Sequence, residues 1–264
     1  MIRGVKAGLR RDQELVALFL RGYNEKSGSD YRVRSWADEA ERQKPAVEAV
    51  CEDTAGRLLA IEHTLVQPFW GEKEDTQPFR VVFVPLERDV SLRLPDYDIE
   101  LWPSVGSIPK GINWAEVGER VKSWFRENRA VFPEGGSTHP VPGLSFQLDV
   151  YVQKTRQDDG FVFVGRSNMP DTLDRVLEKA LADKLPKLVA ASVNRRILLL
   201  EKDGPSRGYV EIGRLIEGYE SRFPNLSNVD EIWIVNTVAW ESEGALFYYK
   251  IWPGGVTLRF RVKV

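Results

Sequence analysis

The chain has 264 residues, a formal net charge of −2 and a pI of about 5.9, so overall charge does not predict non-specific binding to nucleic acid. Apolar residues make up 42% of the chain and charged residues 29%, which is typical of a soluble globular protein with one large or two small domains. One cysteine and two histidines exclude a disulfide framework and a cysteine-rich zinc module, and they argue against a histidine-based metal site. The lack of an apolar leader and of any run of 18 apolar residues predicts a cytoplasmic protein without a membrane span.

The first predicted elements are a helix over residues 10–23 and a strand over 31–36. In the helix, Leu15, Leu18, Phe19 and Gly22 recur at helical spacing.

The segment Pro45–Gln67 predicts a β-hairpin, because hydrophobicity alternates with a period of two in residues 47–52 and 59–64. A three-residue loop over 54–56, with Gly56 at positive φ, would place Glu48 directly opposite Glu62. A four-residue loop would pair Val47 with Glu62 instead. Like charges directly opposite each other destabilise a sheet by roughly 0.2–1 kcal/mol, and a divalent cation is the usual reason to keep them. The alternative is an exposed hairpin whose charges are solvated.

These residues resemble the PD-(D/E)XK nuclease superfamily. The resemblance rests on Pro45-x-x-Glu48 on one strand, a short turn, and an apolar strand ending Ile61-Glu62-His63-Thr64. It implies a core of helix, three-stranded meander, helix and strand, with Glu48 and Glu62 as the two acids that hold Mg²⁺ or Mn²⁺. Thr64 stands where the family has a lysine. Thr64 would then orient a water, and the positive charge would come from elsewhere, or the chain would be a non-catalytic relative.

Two further residues are candidates for the site. Some members of the superfamily add an acid from the first helix, which here indicates Glu14; the alternative is a solvated acid that favours the helix dipole. Gln67 follows the second hairpin strand and would bond a phosphate or a base, or else cap a turn.

Residues 68–168 are expected to form an insertion with its own secondary structure. Predicted in order are a helix over about 71–86, a strand over 98–102, a helix over 114–131, a loop over 133–143, and strands over 144–155 and 160–166. Asn113 is the expected N-cap of the second helix. Asp159-Gly160 predicts a hairpin between the last two strands.

The chain after the insertion supplies the cations that the hairpin lacks. A helix over 171–191, capped by Asp171, carries Lys179, Lys184 and Lys187. Family members whose motif lysine has moved can take it from this helix, so Lys179 or Lys184 would complement Thr64. Lys187 and Arg195 would contact a phosphate backbone; the alternative is a solvated basic face.

The remaining elements complete a mixed sheet. The apolar run over 197–201 predicts a strand buried on both faces, and a helix over 209–223 connects it to a parallel strand over 230–237. Strands over 246–251 and 256–264 are expected to pair.

These expectations combine into a single domain with a mixed α/β fold: a restriction-endonuclease-like core over 1–67 and 169–264, and an insertion over about 68–168. The predicted function is metal-dependent hydrolysis of nucleic acid, with DNA preferred to RNA and a homodimer as an open alternative. The alternative function is a catalytically inactive relative that binds nucleic acid or protein. The sequence contains no P-loop, no dinucleotide-binding glycine motif and no Gly-x-Ser-x-Gly elbow, and Cys51 is expected in the core.

Overall fold

The computed structural model describes residues 11–36, 47–156, 159–202, 208–237 and 244–263. The chain divides into two compact units, one of Met1–Trp70 with Thr172–Val264 and the other of Gly71–Asp171. The segment expected as an insertion, about 68–168, falls on the second unit.

The described residues form six helices and eleven strands, with short 3₁₀ helices at Val90–Leu92 and Pro224–Asn228. In chain order they are α1 (Arg11–Ser27), β1 (Arg32–Trp36), β2 (Ala49–Glu52), β3 (Leu58–Val66), α2 (Glu72–Val82), α3 (Val84–Arg88), β4 (Tyr97–Pro103), α4 (Trp114–Asn128), β5 (Gly135–Pro140), β6 (Gln147–Lys154), β7 (Val162–Val164), α5 (Leu173–Ala190), β8 (Arg195–Lys202), α6 (Tyr209–Gly218), β9 (Glu231–Asn236), β10 (Ala245–Trp252) and β11 (Leu258–Lys263).

The first unit is built on a seven-stranded sheet in the order β1-β2-β3-β8-β9-β10-β11. Strands β3, β8 and β9 run parallel, and the other neighbours are antiparallel. The predicted mixed α/β fold is therefore confirmed, as are the parallel pair β8–β9 and the pairing of β10 with β11.

Helices cover both faces of this sheet. Phe19 and Tyr23 of α1 pack against Trp233 and Tyr248 on one face, and α5 and α6 bury their apolar stripes on the other. Residues 197–200 of β8 are fully buried because alternate side chains enter the two cores.

The second unit is a four-stranded sheet in the order β5-β6-β4-β7, with β7 parallel to β4. Side chains from α2, α3 and α4 pack against the buried residues on one side of its strands. Asn113 caps α4 as predicted, because its side chain accepts a hydrogen bond from the Glu116 amide at 3.4 Å.

Two predictions for this unit are wrong. The expected loop over 133–143 contains β5, which tolerates Pro140 because β5 is an edge strand. The expected hairpin at Asp159-Gly160 does not form, because β4 lies between β6 and β7. Gly160 instead permits close backbone contact: a Cβ there would lie 2.1 Å from the Tyr97 carbonyl oxygen.

Two helix boundaries also differ from the predictions. The helix expected over 71–86 is two helices that meet at Phe83, with Pro85 in the first turn of the second one. Helix α5 begins one residue beyond Thr172, which occupies the N-cap position expected for Asp171. No helix in the described part of the chain is long and apolar enough to cross a bilayer.

Candidate carboxylate–lysine site

The loop between β2 and β3 fixes the register that the site depends on. The Asp53 amide donates to the Arg57 carbonyl oxygen at 3.1 Å, and Gly56 has a φ of 77°. The Asp53 carboxylate also accepts hydrogen bonds from the Arg57 amide at 2.8 Å and the Arg57 Nε at 2.6 Å. The loop is therefore the three-residue one. The ladder pairs Ala49 with Ile61, and extending this register by one residue sets Glu48 opposite Glu62.

Glu62 lies in the middle of β3 and is only 1% exposed. Its Oε2 accepts a hydrogen bond from the Glu48 backbone amide at 2.9 Å. Its Oε1 accepts one from Lys184 Nζ at 2.6 Å, and Lys187 Nζ lies 3.5 Å from the same oxygen. A buried carboxylate is costly unless it is paired and hydrogen-bonded, and these contacts supply both for Glu62.

Glu48 lies just before β2 and carries the second carboxyl group of the site. Burial raises its pKa to about 8, assisted by a hydrogen bond to the Asp12 side chain and by the negative charges of Asp12 and Glu62; Lys184 acts in the opposite direction. At neutral pH, Glu48 therefore carries a proton most of the time. These contacts link three carboxyl groups, those of Asp12, Glu48 and Glu62, with two ammonium groups, those of Lys184 and Lys187.

The packing of helix α5 on the sheet positions Lys184 and Lys187 beside Glu62. Leu177, Leu181 and Leu185 are buried against the sheet, and Lys184 follows at a position where its stem can cover apolar surface while its amine reaches Glu62. The Lys184 side chain is 20% exposed and the Lys187 side chain 33% exposed. Both remain accessible to a ligand that approaches from solvent.

Three residues named from the sequence lie elsewhere. Lys179 pairs with Asp183 at 2.8 Å on the exposed side of α5. Arg195 binds Glu231 at 2.7 Å at the start of β8. Glu14 is half-buried in α1, and Asp12, which the sequence did not single out, is the acid of α1 that bonds Glu48.

Three other polar residues lie along the same face of the sheet. Thr64 is two positions beyond Glu62 and therefore shares its side of β3, and Gln67 follows the end of that strand; both are half-buried. Lys202 pairs in register with Val66 and is 7% exposed. Burial lowers the pKa of Lys202. No sequence signal singled out Lys202, because it directly follows the apolar run of β8.

A separate polar cluster occupies the opposite face of β3. His63 Nε2 lies 3.2 Å from Glu201 Oε2, while Arg11 and Thr237 donate to Glu201 Oε1 at 2.5 and 3.0 Å. Burial acts to raise the pKa of Glu201, but His63 first and then Arg11 and Thr237 hold that pKa below its ordinary value. Arg11 and Glu201 carry opposite charges, and the cluster lies on the other face of β3 from Glu62, so it does not extend the Glu62 site.

The carboxyl groups fit a hard divalent cation in their chemistry. Mg²⁺ takes oxygen ligands and is usually held by one or two carboxylates together with waters and substrate phosphates. Burial is the main cause of the raised pKa of Glu48, and the negative charges of Asp12 and Glu62 add to it; a bound cation would offset that second contribution. Within the described ranges, no three or more His, Cys, Asp or Glu side chains form a ready-made metal cluster. Glu48 and Glu62 therefore supply a two-carboxylate site, not a complete protein cage.

Comparison of the chain with protein-family models, with curated proteins and with solved structures finds no match in any of the three. The chemistry of the site itself must therefore carry the functional argument. Cys51 is not part of that chemistry, because it is fully buried and burial raises the pKa of its thiol to about 12.

Proposed function

We propose that this protein hydrolyses phosphodiester bonds of nucleic acid, preferably DNA, with the help of a bound Mg²⁺ or Mn²⁺ ion. The observation that carries the proposal is the 2.6 Å contact between Lys184 Nζ and the carboxylate of Glu62, which also accepts a hydrogen bond from the Glu48 amide. Two acids and an amine within reach of them are what the resemblance to the PD-(D/E)XK superfamily requires.

The order of the elements around the site supports the same proposal. Helix α1, the meander β1–β3, helix α5 and strand β8 follow one another in the first unit, and β8 lies parallel to β3. The family core that the sequence resembles has the same order. Residue 45, where the motif has proline, lies outside the described residues.

Each group at the site has a separate task in this proposal. Glu48 and Glu62 would hold the cation, which when bound supplies Lewis acidity and lowers the pKa of a coordinated water. Lys184 holds the Glu62 carboxylate in position and offers positive charge to a phosphoryl oxygen. Thr64 and Gln67, further along the strand, would orient water or phosphate. Glu48 must lose its proton before it can act as a metal ligand, so cation binding would release a proton.

A second candidate function has its own supporting observation. Both carboxylate oxygens of Glu62 already accept hydrogen bonds, one from Lys184 and one from the Glu48 amide. A non-catalytic relative that binds nucleic acid or protein would keep such a saturated ion pair as a structural feature. The two functions differ in whether a cation can draw Glu62 away from Lys184.

Cleavage assays on site variants test the proposal. Plasmid DNA and a single-stranded oligonucleotide are incubated with Mn²⁺ or Mg²⁺ and with wild type, Glu62→Gln or Lys184→Gln. We expect each substitution to lower the cleavage rate by about a hundredfold, the order of magnitude for loss of one group that stabilises charge in a transition state. Lys184→Arg, which retains the charge, should recover part of the rate.

Glu52→Gln is the matched control for Glu62→Gln. Glu52 lies on β2 of the same hairpin, its side chain is 41% exposed, and it pairs only loosely with Arg34 at 3.5 Å. This variant should cleave at the wild-type rate. Equal cleavage by wild type, Glu62→Gln and Lys184→Gln would overturn the catalytic proposal.

A further inference from the structure

The second unit presents a sheet face that its helices do not cover. Tyr151 and Phe163 are 44% and 41% exposed, and Trp70 is the one other exposed aromatic side chain in the described part of the chain. Trp102 is half-buried beside them, with its ring 5.5 Å from that of Phe163. We call Glu100, Trp102, Asp149, Tyr151 and Phe163 the aromatic–acidic face.

The strand register places these residues in two adjacent rows. Glu100 on β4 pairs with Phe163 on one side and with Tyr151 on the other. Two residues further along β4, Trp102 pairs with Asp149 on β6. The intervening residues, such as Leu101 and Val150, point into the core because side chains alternate across a strand. The aromatic rings and the two half-buried carboxylates therefore lie side by side on one surface.

Local contacts hold the face in a fixed arrangement. Trp102 Nε1 donates to Glu100 Oε2 at 3.0 Å, and Thr138 Oγ1 donates to Asp149 Oδ1 at 2.7 Å. The six-membered ring of Trp102 lies against Gly165, where a Cβ would come within 2.2 Å of it. A carboxylate has about four acceptor sites, so Glu100 and Asp149 each retain capacity for a ligand.

The charge and shape of the face select its occupant. The rows border a shallow depression of about 540 Å³ whose lining contains two carboxylates and no lysine or arginine. Such a surface repels the phosphates of nucleic acid and attracts cations. Carboxylates beside aromatic rings suit a guanidinium group in particular, because it can stack on a ring and form two parallel hydrogen bonds to a carboxylate at once.

We propose that the aromatic–acidic face binds an arginine-rich segment of a partner protein. The arginine side chains lie over Tyr151 and Trp102, and their guanidinium groups bind Glu100 and Asp149. This inference is independent of the nuclease proposal, because it uses no residue of the carboxylate–lysine site.

Fluorescence anisotropy with labelled nona-arginine, on the full chain at physiological ionic strength, tests the inference. The variant Glu100→Gln/Asp149→Asn removes both charges and keeps an acceptor for Trp102 and for Thr138. We expect its dissociation constant to rise about tenfold, the combined effect of two exposed charge pairs. Tyr151→Leu should raise the constant by about threefold through loss of the cation–π contact, and nona-lysine should bind more weakly than nona-arginine.

The control variant Glu119→Gln/Glu127→Gln removes the same charge from exposed positions on α4, which packs its buried stripe into the core of this unit. It should bind nona-arginine as wild type does. An equal loss in this variant would show attraction by bulk charge and would overturn the inference. The inference would also be overturned if wild type did not bind nona-arginine. The same holds if wild type bound oligo-dT or maltoheptaose and Tyr151→Leu abolished that binding. If the double variant of the face fails to fold, Tyr151→Leu alone decides between these outcomes.

Discussion

The ion pair between Lys184 and Glu62 makes a quantitative prediction about stability. Removing one partner of a buried pair typically costs about 3–5 kcal/mol, because the other charge is left unpaired in the interior. Glu62 is 1% exposed, so it cannot turn to solvent, but Lys187 Nζ lies 3.5 Å from the same oxygen and would take over part of the pairing. We therefore expect Lys184→Met, which preserves most of the buried stem, to lower the free energy of unfolding by about 2 kcal/mol.

Urea unfolding, followed by circular dichroism, measures this change within a double-mutant cycle. Glu62→Gln alone should cost about 1 kcal/mol, because an amide oxygen still accepts from the Glu48 backbone. The double variant Glu62→Gln/Lys184→Met should lose less free energy of unfolding than the two single variants together, and the difference gives a coupling energy of about 1 kcal/mol. Lys179→Met is the control, since its exposed pair with Asp183 should contribute less than about 0.5 kcal/mol. A Lys184→Met variant as stable as the control would refute the pairing argument.

Three further substitutions test other parts of the structure. The folded state holds a proton on Glu48 between pH 4.5 and about 8 that the unfolded state has released, so wild type should lose stability as pH rises through that window. Glu48→Gln has no such proton to lose, so at pH 9 its free energy of unfolding should exceed that of wild type by about 2 kcal/mol, which is about half of the value that the pKa shift alone would give because the group is partly solvated. If the free energies of unfolding of the two proteins, measured by denaturant titration, change with pH in the same way, this prediction is contradicted. Gly56→Ala should cost about 1 kcal/mol in thermal unfolding because φ is 77°, and an unchanged melting temperature would argue against the three-residue loop. Gly22→Ala should cost about 1–3 kcal/mol because its Cβ would lie 2.5 Å from the Phe260 ring; a neutral effect on urea unfolding would mean that α1 packs differently on β11.

The hairpin could be predicted from sequence because its signals are local. Gly56 sets the loop length, the loop length sets the register of β2 on β3, and that register, extended by one residue, sets Glu48 opposite Glu62. All the residues that determine this register lie within the segment 47–66.

The lysine and the third acid depend on geometry that sequence does not contain. Lys179 and Lys184 both lie on α5, and only the way in which this helix packs on β3 decides that Lys184 reaches Glu62. In α1, the side chains of residues 12 and 14 are separated by about 200° around the helix axis. At most one of them can therefore face Glu48. The rotation of α1 against the sheet, fixed by its long-range contacts with β11, makes Asp12 that residue.

The second unit was predicted less well for the same reason. Strand β4 comes to lie between β6 and β7 through pairings that are distant in sequence, and the Asp159-Gly160 signal concerns only the local turn. The aromatic–acidic face follows from that strand order. Glu100 meets both Phe163 and Tyr151 only because β4 is central.

Calorimetric titration of Mn²⁺ tests directly whether Glu48 and Glu62 form a cation site. Wild type and Glu52→Gln should each bind one ion, and the measured heat should vary with the ionisation enthalpy of the buffer because Glu48 releases its proton. Glu62→Gln should bind no ion under the same conditions. Binding that is identical in wild type and Glu62→Gln, or absent from both, would show that these residues form no cation site. The Glu62–Lys184 ion pair would then be a structural feature, as expected for a non-catalytic binding module.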